Sequence, residues 1–407
     1  MDLTREEVAI LAGDEGPGPR LALELLCEFG EIFGARRLIP IASVHTAGHL
    51  GSLHQAGLDL LERFVSLGAR YRVPTTINPS SLGCERCEPF TPPPGYVEKQ
   101  ERLHRLHEIL GVTPNWSCTP YFEHPPAFGE AVAWIESHAI SLVNSYFGAR
   151  TERLAIGIDV PAAILGRFPE FGLYLPENRV PRILIDLVGF ERMDLLDYDS
   201  VGYLVGLLAR DQIPYIRGLP ARSTFDQIRS LGAAAAASGA VPLYHAEGLT
   251  AEVKRGAIRV DPARLAERHT VTRADLEAVE ERLTTTAAEV DLVIVGCPHL
   301  SIDQMQDLAR RMSGRTCAET LPLWIYTSSR IKEECRKDGT LALLEAAGAW
   351  VLTGTCAVTS PVRHSPFKTV MTNSAKAANV LPAEHGLGVV YASLERCLRT
   401  AIAGRRA

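Results

Sequence analysis

Cysteines at the ends of apolar runs are where this sequence could do chemistry. Cys297 closes the run 290–297 (VDLVIVGC) and Cys356 closes 349–356 (AWVLTGTC), while Cys118 lies at a turn between two Thr-Pro pairs, ThrProAsnTrpSer before it and ThrProTyr after it. In open α/β sheets, ligands gather outside the carboxyl ends of the strands, so three cysteines far apart in sequence can face one crevice. Thiolates hold iron–sulfur clusters, and a protein that supplies one ligand too few leaves an iron open as a Lewis acid for a departing hydroxyl. Such a reaction also needs a base for the proton beside a carboxylate and a cation to grip that carboxylate. Lys376 follows the run 368–374 (KTVMTNS) and Arg150 follows 139–145 (AISLVNS), so both are candidate grips. Ser374 opens a helix whose first N–H groups favour an anion, and Asn78 ends the run 71–79 (YRVPTTINP). From the residues alone, small buried cysteines at turns remain the alternative to a shared metal site.

These side chains need strands that end beside them. Apolar runs recur at 36–45, 71–79, 139–145, 181–189, 213–218, 241–247, 290–297, 322–328, 349–356, 368–374 and 386–393. Several are continuous, as expected of strands buried on both faces of a parallel sheet. Helical patterns fall between them at 19–33, 56–68, 98–111, 126–139, 197–211, 301–312 and 340–348, with Ser301 a helix cap and Thr272 a helix entry in the charged stretch 242–290. The alternation predicts an α/β fold of several lobes with mostly parallel sheets. Two α/β regions are expected, 1–190 with Cys118 and 191–407 with Cys297 and Cys356.

The chain has 407 residues, 46% apolar and 22% charged, with a net charge of −6, which gives no electrostatic reason to expect nucleic acid or an anionic membrane as partner. The first thirty residues lack the basic start and unbroken apolar core of a signal peptide, and no stretch has the length and purity of a membrane span, so a cytoplasmic address is expected. Nine cysteines, an odd count, argue against a disulfide framework. Cys27, Cys335 and Cys397 sit in helical patterns and read as inert thiols, and Cys317 as a loop thiol. Cys84 and Cys87 have metal-ligand spacing, but no second pair follows, so a zinc site, a redox pair and a plain loop all stay open.

The order of short blocks resembles the aconitase X family, specifically its large subunit, over nearly the whole chain. The blocks are SerCysThrProTyr (117–121), GluSerHisAla (136–139), AsnSerTyrPheGlyAlaArgThr (144–151), ProGluAsnArg (176–179), GlyCysProHisLeuSer (296–301), ThrGlyThrCys (353–356) and ThrAsnSerAlaLysAla (372–377). The resemblance implies an aconitase-like fold around a central cleft, an iron–sulfur cluster on Cys118, Cys297 and Cys356, and dehydration of a small hydroxy acid. Family activities include dehydration of cis-3-hydroxy-L-proline and of mevalonate 5-phosphate. The family also uses a small swivelling domain, fused or as a separate subunit, with a serine as the base; the end of this chain leaves no room for it, so the expectation is that a small partner subunit completes the site or that the chain is only part of an enzyme. His45, Gly48, His49, Asn78, Glu136, Ser137, Arg150, His299, Ser374 and Lys376 are the expected substrate-side residues, with His299 able to orient either the substrate or a ligand. The substrate-binding turn departs from the family: His45 and Gly48 are kept, but Ala47 stands where the hydroxyproline type has an acid and Leu50 where the phosphomevalonate type has a hydroxyl. Neither substrate is supported at that turn. A non-catalytic binding subunit and a protein built on the Cys84/Cys87 pair are the readings from other classes.

Overall fold

Continuous apolar runs bounded by turn residues become parallel strands here, and the sheets they form set where the chemistry can lie. A computed structural model of the chain describes residues 1–83 and 90–405; Cys84 and Cys87 lie outside the described residues. First in the chain come β1 (Leu38–Pro40), β2 (Val44–Thr46), β3 (Thr75–Ile77), β4 (Ala133–Trp134) and β5 (Arg167–Pro169). β2 is flanked in parallel by β3 and β4, and β1 pairs antiparallel with β5. Next, β6 (Ile183–Leu187), β7 (Pro214–Arg217), β8 (His245–Ala246) and β9 (Glu267–Val271) form a parallel sheet in the order β8-β7-β6-β9. Finally, β10 (Leu292–Leu300), β11 (Leu323–Thr327), β12 (Trp350–Leu352), β13 (Thr369–Thr372) and β14 (Gly388–Tyr391) form a parallel sheet ordered β12-β11-β10-β13-β14. The α/β class with mostly parallel sheets is therefore observed. No helix among the described residues is long and apolar enough to cross a membrane.

Helix entries follow the expected chemistry. Ser301 accepts from Gln304 N and Thr272 is answered by Asp275, each in a reciprocal capping box. Cys27, Cys335 and Cys397 lie in helices.

Two expectations fail, for one reason. The helix expected over 126–139 contains β4, and the strand expected over 139–145 is the helix Ser137–Leu142 continued by a π turn, Val143–Phe147. Short apolar runs do not distinguish strand from buried helix, and here the segment packs against the Ala-rich helix Phe225–Gly239 with Ala139, Leu142 and Val143 fully or nearly fully enclosed. β9, inside the charged stretch 242–290, is not expected from the sequence; its residues alternate little and most stay exposed at a sheet edge.

Where β2 ends, the chain passes very close to the end of β3. A Cβ on Gly48 would lie 1.9 Å from the Asn78 carbonyl oxygen, so only glycine allows the approach. Gly48→Ala is expected to destabilise the protein by about 1–3 kcal/mol through overpacking against backbone, read as a lower urea midpoint; an unchanged midpoint would contradict the close approach.

Candidate active site

The carboxyl ends of two sheets point at one cavity. β2, β3 and β4 bring His45, Asn78 and Glu136, and β10, β12 and β13 bring Cys297, Cys356 and the Ser374–Lys376 segment. The two sets are stitched by a parallel bridge between Ser80 and Thr355, with Ser80 N donating to the Gly354 carbonyl at 2.8 Å. Cys297 lies within β10, where the register against β11 shifts between Val295 and Leu300. Gly296 turns the chain there at φ +105°, with space for a Cβ taken by the Tyr326 carbonyl at 2.3 Å. Cys118 does not follow a regular strand; an irregular extended segment runs beside β3, with Thr113 N on Thr75 O at 2.7 Å and Ser117 N on Ile77 O at 3.0 Å.

Cys118, Cys297 and Cys356 line one cavity of about 260 Å³, together with His49, Asn78, Glu136, Ser137 and Lys376. Burial pushes the Cys118 thiol well above its ordinary value, with Glu136 and Cys356 adding to the rise, and pushes Cys297 up to about 12. Burial raises Cys356 too, against the hydroxyl of Thr359. Three thiolates cannot share so dry a space without a multivalent cation between them. Three cysteine sulfurs on one cavity are the donors that an iron–sulfur cluster takes, so this donor set fits one.

Glu136 is the hub of the opposite wall. Its Oε1 accepts from Lys376 Nζ at 2.5 Å and from His138 Nδ1 at 2.9 Å, and its Oε2 accepts from Asn78 Nδ2 at 3.0 Å. Burial alone would raise this carboxyl, but the Lys376 charge and His138 hold it well below the usual range. Lys376 stays charged against burial because Glu136 outweighs it, and its Nζ also reaches Ser137 Oγ at 3.2 Å. Behind Asn78 the chain of bonds has one direction. Asn78 Oδ1 accepts, so His45 donates from Nε2 at 2.8 Å, and its Nδ1 accepts from Thr76 at 2.8 Å. His45 is buried, which lowers it to about 4 and keeps it neutral. It therefore orients Asn78 from outside the cavity.

His299 also lies behind the wall. Its Nε2 donates to the Thr355 carbonyl at 2.9 Å, which leaves Nδ1 to accept from Ser117 at 3.1 Å, and its backbone N–H points at Cys118 Sγ at 3.4 Å. One ring thus ties the neighbours of Cys118 and Cys356 to the turn of Cys297. Arg229, on the helix Phe225–Gly239, in turn donates to the His299 carbonyl at 2.6 Å.

Not every expected residue reaches the cavity. Arg150 is not part of its wall: because 137–147 is helical, Arg150 emerges elsewhere and donates to the Tyr174 carbonyl at 2.8 Å. Ser374 caps the helix Ala375–His385, but the N-terminus expected to take a ligand anion is met by the chain's own Asp199 carboxyl, which accepts from Ala375 N. Gly48 serves backbone packing. Residues that the sequence did not single out include His138, Arg229 and Thr359, whose hydroxyl contacts Cys356 Sγ at 3.3 Å. Thr359 had a local signal, a hydroxyl three residues after the cysteine, and Arg229 had another, a charge on the helix that carries the alanine run.

Family models described as aconitase X first, second and third domain match residues 1–177, 181–281 and 290–403. The phosphomevalonate dehydratase large subunit of Methanosarcina mazei is 35% identical over 408 residues, covering 100% of this chain and 98% of that protein. The cis-3-hydroxy-L-proline dehydratase of Pseudomonas aeruginosa is 35% identical over 412 residues, covering 98% of this chain and 69% of that protein. A crystal structure of Thermococcus kodakaraensis aconitase X in its holo-form superposes with a TM-score of 0.88 at 34% identity, covering 98% of this chain and 100% of the other.

Asp199 gives the site's support a pH signature. Burial pushes its carboxyl up to about 7, against hydrogen bonds from Ala375, Ser230 and Tyr391 that favour the anion. Between an ordinary aspartate near about 3.9 and this value, the folded state keeps a proton that the unfolded chain has released, so stability falls as pH rises across the window. Asp199→Asn is expected to remove that fall in urea unfolding compared at about pH 5 and about pH 7.5; parallel profiles for the two proteins would contradict the assignment.

Proposed function

The chain belongs to the aconitase X family of hydro-lyases, and from that premise we propose that it is the cluster-carrying large subunit of a dehydratase acting on a small hydroxy acid. The observation that carries this reading is the convergence of Cys118, Cys297 and Cys356 on a cavity whose far wall is the Lys376–Glu136 pair. When bound, a cluster with one iron not ligated by protein supplies a Lewis acid for the leaving hydroxyl. The chain's own residues do the rest of the binding. Lys376 presents a charged ammonium held in place by Glu136, and with Ser137 it takes the substrate carboxylate. Asn78, oriented by His45, offers an amide beside them. His299 and Arg229 hold the cysteine loops from behind and touch no substrate.

The base that takes the proton beside the carboxylate is assigned to a small partner subunit, a reading supported by the large-subunit names of the Methanosarcina mazei and Thermococcus kodakarensis relatives. The names of relatives offer two substrates, phosphomevalonate and cis-3-hydroxy-L-proline.

Anaerobic reconstitution with iron and sulfide is expected to give a visible charge-transfer absorbance that Cys356→Ser abolishes; an unaltered spectrum in the variant would remove Cys356 from the ligand set. With the partner present, Lys376→Gln is expected to lower kcat/KM by about 10- to 100-fold, the worth of one charged hydrogen bond, while the absorbance persists. A loaded, partnered enzyme that turns over no hydroxy acid would favour a binding subunit instead.

A further inference from the structure

Each of the three cysteine sulfurs meets one hydrogen-bonding group from its own surroundings. The backbone N–H of His299 points at Cys118 Sγ at 3.4 Å. The Ser374 hydroxyl lies beside Cys297 and favours its thiolate. Cys356 Sγ lies 3.3 Å from the hydroxyl of Thr359, and both residues stand on the cavity wall. The amide at Cys118 is fixed by its backbone, whereas the Thr359 hydroxyl can turn. It has a second acceptor within reach: Thr359 Oγ1 donates to the Ser80 carbonyl at 3.0 Å, and it accepts from Cys356 N at 3.3 Å.

A hydroxyl has one proton to give and two lone pairs. While Cys356 is a free thiol all three are used. The proton goes to Ser80, one lone pair takes the Cys356 N–H, and the other faces an S–H that can itself donate. A sulfur that ligates a metal has given up its proton and can only accept. Hydrogen bonds to an ionised acceptor are roughly twice as strong as neutral ones, so the sulfur then wins the one Thr359 proton. Both acceptors stay in reach, and the carbonyl keeps the weaker share of a three-centre bond. The Ser80 backbone is held in any case, because its N–H donates to the Gly354 carbonyl at 2.8 Å and its hydroxyl pairs with His104 Nε2 at 2.9 Å.

We propose that the Thr359 hydroxyl turns from the Ser80 carbonyl to the Cys356 sulfur when a cluster binds, and that in this second position it sets the cluster's reduction potential. The inference rests on the cluster reading of the three cysteines. Thr359 acts through its ligand neighbour and is a positioning residue. A hydrogen bond to a ligand sulfur draws charge from it and favours the reduced, more negative state, so losing the bond lowers the potential.

The test is a spectroelectrochemical titration of the full chain reconstituted anaerobically with iron and sulfide. Thr359→Val keeps the branched shape and removes the hydroxyl. It is expected to lower the midpoint potential by at least about 59 mV, a tenfold change in a one-electron equilibrium and the worth of one hydrogen bond to a charged group. Thr359→Ala removes the hydroxyl without bulk and is expected to shift the potential the same way, which covers poor loading of the valine variant. Thr359→Ser is expected to return it to the wild-type value. In resonance Raman the iron–thiolate stretch is expected to rise in the valine and alanine variants and not in the serine variant. A serine variant that behaves like valine would assign the effect to packing and overturn the inference. Equal potentials and stretches in wild type, Thr359→Val and Thr359→Ala would overturn it and leave the cluster reading standing. A wild-type chain that takes up no cluster would overturn the cluster reading, and the inference with it.

Discussion

The ion pair between Lys376 and Glu136 is the constraint on which the rest of the site depends. It joins a residue just past β4 to one just past β13, strands of different sheets, with only about an eighth of either side chain in contact with solvent. Removing two charges from water is expensive, and their mutual attraction repays that only when every other lone pair and proton is also satisfied. Here the carboxylate is answered by His138 and Asn78 as well, and the ammonium by Ser137. The sheets therefore cannot slide relative to each other without leaving a buried charge unpaired. The same arrangement aims a cation into the cavity, where it favours thiolate at Cys297 and Cys118, although burial still wins for the free thiols.

The middle sheet sends no side chain from its strand ends into the cavity, yet the site depends on it. Its helices carry Arg229, which fixes the His299 carbonyl, Asp226, which accepts from Ser301 at 2.7 Å, and Asp199, which meets the first N–H of the helix bearing Lys376. His299 then passes the constraint to the loops of Cys118 and Cys356 through two ring nitrogens whose roles are set by a carbonyl on one side and a hydroxyl on the other. Support of this kind around a metal site sets ligand direction as much as the ligands do.

Much of this was legible in the sequence because strand ends announce themselves. The runs ending in Cys297 and Cys356, and the turn of Lys376, are long apolar stretches closed by small residues, and in a parallel sheet the residues after such a strand emerge at its carboxyl edge. The sequence misplaces Arg150 because its supposed strand, 139–145, is a buried helix, and a seven-residue apolar run carries no period that could separate the two. The inward-facing support was illegible for a different reason. His138, Arg229 and Asp199 act through partners on other sheets, and only the tertiary fold says that a charged residue on a helix faces inward. Asp199, for example, looks like an ordinary polar position of an amphipathic pattern, but it is buried beneath the helix Ala375–His385.

The turn between β2 and the next helix is held by backbone contacts from two distant segments. Gly48 is held by the Asn78 backbone, which leaves no room for a Cβ. Leu50 is buried, with its N–H donating to Gln100 Oε1 at 2.9 Å, and the Gly48 carbonyl accepts from Gln100 Nε2 at 2.9 Å. Gln100 thus clamps the backbone on both sides of His49, whose ring lies on the cavity wall with its Nε2 against Ser52 Oγ. At this turn Ala47 and Leu50 are buried, so the imidazole at 49 is the side chain that the turn presents to the cysteine cavity.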